Sequence, residues 1–289
     1  KMDEYICMHA WLDKNAKEML QHICCGIPPR PAGSLEIIET RKYLSAIFQN
    51  MGASSICEEK VDVPFWHNGN SILETVEKPI KSFPCYQVIL SKKCDIKALL
   101  FNVKEGSLEE LDMYGEKLRG RIVVMGGHVI SGGRYMPVPI KVKKAGDMGA
   151  AAVILVGVED IELPALEVLI HKEEINIPCV TVSKKTGEEL RRLLENGDLE
   201  MRIMTDGFTE AGRCANLVAD LKPCRIPETT VILGAHLDCF WNSPGAFDNV
   251  SGVVTVMEIA RLLSSFKDSF RRKLRVIIYT GEELGFIGS

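Results

Sequence analysis

The stretch TTVILGAHLDCFWNSPGAFDNVSGVVTVMEIARLLSSF, residues 229–266, decides the fold. It opens with the apolar run TTVILGA, of strand length, and closes with VSGVVTVMEIARLLSSF, whose apolar residues recur at helical spacing. A second strand-like run, KLRVIIYTG at 273–281, follows. Strand, helix, strand predicts an α/β unit. The runs VILGA and VIIY lack polar alternation, which predicts strands buried on both faces of a mixed, mainly parallel sheet flanked by helices. In such sheets, sites collect beyond the carboxyl ends of the strands. Two polar clusters stand at those ends: His236-Leu237-Asp238, and Gly281-Glu282-Glu283.

These clusters suit a metal ion. On an extended chain, residues two apart face the same side, so one of His236 and Asp238 can bind a cation while the other holds its partner from behind. Asp248, just ahead of the helix, adds a carboxylate able to bridge two cations. Glu282 and Glu283 are neighbours whose side chains diverge, so that one can reach a metal and the other a water molecule, a division that metal-assisted hydrolysis requires. Each residue also has a plainer reading. A histidine at a strand end is commonly just hydrogen-bonded, Asp248 could cap a helix starting near Asn249 or Val250, and adjacent glutamates usually form a solvated face. The patterns HxD, GAxDNxSG and GEExGxxGS, in this order and on these elements, favour the metal.

The totals narrow the function classes. Lys and Arg number 35 against 39 Asp and Glu, and a net charge of −4 gives no electrostatic reason to expect nucleic acid or an anionic membrane as partner. Peptides or small molecules fit better. The longest apolar runs, such as GAAAVILVGV at 149–158, fall short of the roughly 20 residues that cross a bilayer. The ten cysteines are scattered without a CxxC pair, a pattern of free thiols serving as small apolar residues. With no apolar signal core in KMDEYICMHAW, the expected location is cytoplasmic, or secreted if a signal peptide was removed.

Three textures divide the chain into residues 1–63, 64–207 and 208–289. In the first, Leu12, Ala16, Met19, Leu20 and Ile23 predict one amphipathic helix from Met2 to about Cys25, ended by Gly26-Ile27-Pro28-Pro29. After RPAGS, Ser34 is a good N-cap for a second helix with Gly52 at its C-cap, and Ser55 to Phe65 reads as extended. In the middle segment ALLFNV, RIVVMGG, AAAVILVG and IPCVTVS are candidate strands, and PIKVKKAGDMG and TGEELRRLLENG short helices, as in an inserted module with its own core. Its dispersed His, Asp and Glu residues suggest no metal site. Gly126-Gly127 and Gly132-Gly133 match neither glycine fingerprint for phosphate and read as flexible loops.

With these motifs in hand, the chain resembles the co-catalytic zinc exopeptidase family that includes bacterial leucyl aminopeptidase, aminopeptidase Y and plasma glutamate carboxypeptidase. It is most similar to members carrying an inserted protease-associated (PA) domain. The resemblance covers RPAGS and its helix, KAGDMGAAAVILVG and INIPCVTVS in the β-rich α/β middle module, and the three site motifs. It implies two Zn²⁺ per complete site, with His236 on one ion, Asp248 bridging both, Glu283 on the other, Glu282 as general base and Asp238 orienting His236. It also implies a cis Asp248–Asn249 peptide, and close backbone approach at Gly245 and Gly252. The implied activity is aminopeptidase hydrolysis of peptides.

The family pattern needs a further Asp and His downstream of the Glu pair, whereas here only His236 lies beyond His171. The simplest expectation is that these residues are part of a longer protein, and that the segment alone is not a competent two-zinc enzyme. Carboxypeptidase or dipeptidase activity, a metal-free binding protein on the same fold, and a single-zinc glutaminyl cyclase-like enzyme stand as alternatives. A PA module often serves as lid or partner surface, and assembly into a homo-oligomer stays open.

Overall fold

The computed structural model describes residues 2–127, 129–131, 134–221, 229–266 and 272–289. The chain forms two compact units, one built from Lys1–Phe65 with Glu210–Ser289, the other from Trp66–Thr209.

In the first unit a four-stranded sheet has the order Ser55–His67, Phe208–Leu221, Lys273–Tyr279, Thr230–His236. The last two strands are parallel, joined by the helix Ser251–Ser264, and Phe208–Leu221 runs antiparallel to Lys273–Tyr279. The helix buries Val253, Val254, Val256, Met257, Ala260 and Leu262, an apolar stripe at helical spacing. Its connection from one parallel strand to the next places His236 and Tyr279 side by side at the same end of the sheet.

Within the described residues Thr230–His236 stands at one end of the sheet order, with Val231 and Ile232 42% and 55% exposed. Lys273–Tyr279 alternates, burying Leu274, Val276 and Ile278 between half-buried neighbours.

The amino-terminal helix is also divided. It runs as Met2–Leu12 and Asn15–Gln21, continued by a π-helical turn His22–Gly26. Asp13 stands at the break, where its carboxylate takes a 2.6 Å hydrogen bond from Arg261 of the packed helix, a long-range tie that periodicity does not register. The next helix, Leu35–Asn50, starts at Ser34, whose Oγ accepts the Ile37 N–H at 3.3 Å, and is followed by Gly52 at φ +72°.

The second unit holds an eight-stranded mixed sheet. The strands Cys94–Asn102, Ile122–Gly126, Ala152–Val156 and Cys179–Val182 are parallel neighbours, and the strands and helices expected from the middle segment are all present with shifted ends. The helices are Val138–Asp147 and Lys184–Leu194, the second capped by Ser183. Short strands at Ser71–Thr75, Ser82–Phe83 and Tyr86–Gln87, the strand Glu200–Thr205 and the capped helix Leu108–Tyr114 gave too little pattern to be foreseen. Gly126 and Gly127 are buried at a strand end, whereas Gly132 and Gly133 lie outside the described residues. The nine described cysteines are free, with Cys85, Cys179, Cys214 and Cys239 buried and Cys7, Cys25 and Cys57 exposed. Among the described residues no helix is long and apolar enough to cross a membrane.

Candidate metal site

Both polar clusters stand where their strands end. Beyond the His236–Tyr279 pair the ladder continues for one bond, from Leu237 N–H to Tyr279 O at 2.9 Å, and this carries Asp238 against the turn Gly281–Glu283. Asp238 is fully buried, and its two carboxylate oxygens accept the main-chain N–H groups of Glu282 at 3.3 Å and Glu283 at 3.1 Å. From the neighbouring strand Asn216 holds the other side of the turn, accepting from Thr280 N–H at 3.0 Å and donating to Gly288 O at 2.6 Å. Gly281 turns the chain at φ +73°. Two glutamates thus project from a turn that two buried polar side chains hold in place.

The imidazole of His236 is the meeting point. Its Nε2 lies 3.0 Å from Asp248 Oδ1 and 3.6 Å from Glu282 Oε2, while Nδ1 lies 3.2 Å from the Asp238 carbonyl and 3.7 Å from its carboxylate. His236, Glu282 and Glu283 each present one ligand atom within 4.8 Å of the others. Asp248 contacts the same imidazole but is not one of that group, and its side chain is 70% exposed. The structure therefore assembles His236, Glu282 and Glu283 tightly, with Asp248 on the outer side of the ring and Asp238 buried behind it. The carbonyl of Asp238, nearer than its carboxylate, is the acceptor that fixes the ring nitrogen.

Asp248 sits in the π-helical turn Ala246–Val250 at φ −115°, ψ 96°, and the Asp248–Asn249 peptide is cis. The helix that follows makes no side-chain cap bond, so Asp248 is not its cap. Gly245, at φ +60°, has no room for a side chain, since a Cβ there would stand 2.6 Å from Cys239 Cβ and 2.8 Å from Asp248 O. At Gly252 a Cβ would meet Asn249 Oδ1 at 2.2 Å. The chain bearing Asp248 therefore lies tightly against its own flanks.

The carboxylates around His236 shift its protonation and that of Glu283. Burial disfavours the charged imidazole of His236, but the carboxylates of Asp238, Glu282 and Asp248 outweigh it and carry its pKa up to about 9. Burial, together with repulsion from Asp248, Asp238 and Glu282, pushes Glu283 up to about 7, with His236 acting in the opposite sense. One ring nitrogen and several carboxylate oxygens within a few ångströms suit a divalent ion.

Asn216 was invisible as a site residue in the sequence: it is not a ligand type that stands out from its neighbours, and it acts through main-chain groups far away in the chain.

Comparison with known proteins agrees with this picture. Residues 216–289 match the model of Peptidase family M28, and residues 87–190 that of the PA domain. Carboxypeptidase Q of Mus musculus is 26% identical over 282 residues, covering 91% of this chain and 57% of its own. A probable leucine aminopeptidase 2 of Arthroderma benhamiae is 27% identical over 233 residues, 80% of this chain and 44% of its own. Aminopeptidase YwaD of Bacillus subtilis is 32% identical over 150 residues, 52% of this chain and 31% of its own. The chain thus spans about half the length of the curated relatives it matches. Among solved structures, the aminopeptidase from Aneurinibacillus sp. strain AM-1 superposes with a TM-score of 0.76 at 24% identity, over 95% of this chain and 64% of that one. A peptidase M28 precursor from Shewanella amazonensis gives 0.82 at 19% identity, over 99% of this chain and 68% of that one. The segment that bears His236, Asp248 and the Glu282–Glu283 pair is thus similar to Peptidase family M28, and a segment similar to the PA domain is set ahead of it.

Proposed function

We propose that this chain is part of a zinc-dependent exopeptidase that removes amino-terminal residues from peptides, with two ions in the complete site. The observation that carries the reading is the convergence of His236, Glu282 and Glu283 within 4.8 Å, with Asp248 on the same imidazole, at the carboxyl end of two parallel strands. Nitrogen and carboxylate donors of this kind suit zinc, and relatives named as zinc aminopeptidase and leucine aminopeptidase support the choice of metal and substrate end.

His236, Asp248 and Glu283 would hold the metal. When bound, zinc supplies Lewis acidity, which polarises a peptide carbonyl and eases the deprotonation of water. Glu282, only 27% exposed at its side chain and carried on a turn fixed by Asp238 and Asn216, is placed to take a proton from water and return it to the departing amine. The Asp238 carbonyl keeps Nδ1 of His236 occupied, so Nε2 faces the cluster.

Zinc content and hydrolysis of aminoacyl anilides, measured on the purified protein before and after chelation, test the reading. Chelation should abolish turnover and zinc restore it, and Glu282→Gln should bind zinc while losing at least about 100-fold in kcat. A folded protein that takes up no zinc, or a Glu282→Gln variant with undiminished turnover, overturns the assignment. Release of carboxy-terminal rather than amino-terminal residues would move the specificity and keep the metal chemistry.

A further inference from the structure

Arg30 opens the RPAGS segment, yet nothing in the metal reading uses it. Its side chain is completely buried. A buried guanidinium is costly unless its donors are satisfied, and the carbonyls that accept from this one are spread over three places in the chain. Nη2 donates to Pro244 O at 2.8 Å, Nε to Leu237 O at 3.4 Å, and Nη1 to Ile23 O at 3.4 Å. The main chain of the same residue pairs reciprocally with Cys239, as Arg30 N–H reaches Cys239 Sγ at 3.2 Å and Cys239 N–H reaches Arg30 O at 3.2 Å.

These bonds fall at two informative points. Leu237 O belongs to the residue between His236 and Asp238, and Pro244 O to the residue just before the Gly245 turn. From Gly245 the chain closes through Val250 N–H to Gly245 O at 2.9 Å, a turn whose interior carries Asp248. One guanidinium therefore pins both ends of the loop between the two metal-site arms, and Gly245 packs so closely that an added Cβ would stand 3.2 Å from Arg30 Nη2. A lysine ammonium, a compact point charge without a planar fork, cannot address carbonyls in these separate directions with one rigid group.

Resting on the reading of the site as a zinc centre, we infer that Arg30 is a positioning residue that sets the separation between the arm bearing His236 and Asp238 and the arm bearing Asp248. It touches none of the proposed ligand atoms and acts through the carbonyls of Leu237 and Pro244.

The test measures zinc affinity by competition with a chromophoric chelator, and melting of the metal-free protein, for wild type, Arg30→Lys, Arg30→Ala and the core control Ile37→Val. Arg30→Lys should lose at least about tenfold in zinc affinity, the scale seen when supports of ligands are removed. Ile37→Val should lower the melting temperature with zinc affinity unchanged. In Arg30→Ala, millimolar guanidinium ion should recover affinity, and this arm decides the matter if the lysine variant does not fold. Wild-type zinc affinity in Arg30→Lys, or a folded Arg30→Ala whose weakened affinity guanidinium leaves unimproved, overturns the inference. A folded wild type that binds no zinc defeats the zinc reading itself, and the role of Arg30 falls with it.

Discussion

The carboxylate of Asp238 accepts the main-chain N–H of Glu283 at 3.1 Å across 45 residues of sequence. Its other oxygen accepts from Glu282 N–H at 3.3 Å, so one buried acid joins the end of the His236 strand to the turn that carries both glutamates. Replacing Asp238 by Asn keeps the shape but turns one acceptor into a donor. A buried N–H left without its acceptor should destabilise the metal-free protein by about 1–3 kcal/mol, measurable by urea denaturation. Unchanged stability would show that these bonds do not hold the turn.

Zinc uptake should depend on pH, because the proposed ligands carry protons that a metal must displace. With Glu283 raised to about 7 and His236 to about 9 in the metal-free protein, apparent zinc affinity should strengthen with rising pH up to about pH 9. Competition titrations at fixed ionic strength give the slope. A flat profile would exclude proton displacement at these groups.

Lys141 offers a pH effect independent of metal. It is fully buried in the second unit and donates to the carbonyls of Gly126 and Glu105. Burial lowers its pKa from 10.5 to about 8, against the opposing pull of Glu105, Glu167, Cys179 and Glu110. Between about pH 8 and 10.5 the unfolded chain therefore binds more protons than the folded one, and the Lys141 contribution to stability rises with pH across that window. Below about pH 8 both states hold the proton and the penalty is complete. The difference between the stabilities of wild type and Lys141→Met, taken from denaturation curves across the window, should shift in favour of wild type as pH rises, and a constant difference would exclude the effect.

Ser34 is the N-cap of the helix Leu35–Asn50 through its bond to Ile37 N–H. Ser34→Ala should cost about 1 kcal/mol and Ser34→Asp much less, since a carboxylate can cap the same N–H. Equal losses in the two variants would mean that packing of the half-buried helix start, rather than the cap, carries the effect.

The order of strands and helices around residues 229–281 could be read from the sequence because each element follows a local rule: an apolar run, a 3.6-residue stripe, a cap, a glycine. The candidates His236, Asp238, Asp248, Glu282 and Glu283 were legible for a related reason, since ionisable residues at strand ends in an α/β unit have few structural tasks. Local rules did not show that the first helix breaks near Asp13, whose carboxylate bonds to Arg261. Nor did they show that Asn216 and Asp238 share the support of the glutamate turn, or that Arg30 fixes the loop between His236 and Asp248. The sequence by itself determined which residues were candidates to meet a metal and which of the longer patterned segments would be helix or strand. Only the tertiary structure decided how closely those residues meet and what holds them, because main-chain N–H and C=O groups occur at every position and leave no mark in the sequence until folding selects a few of them as partners.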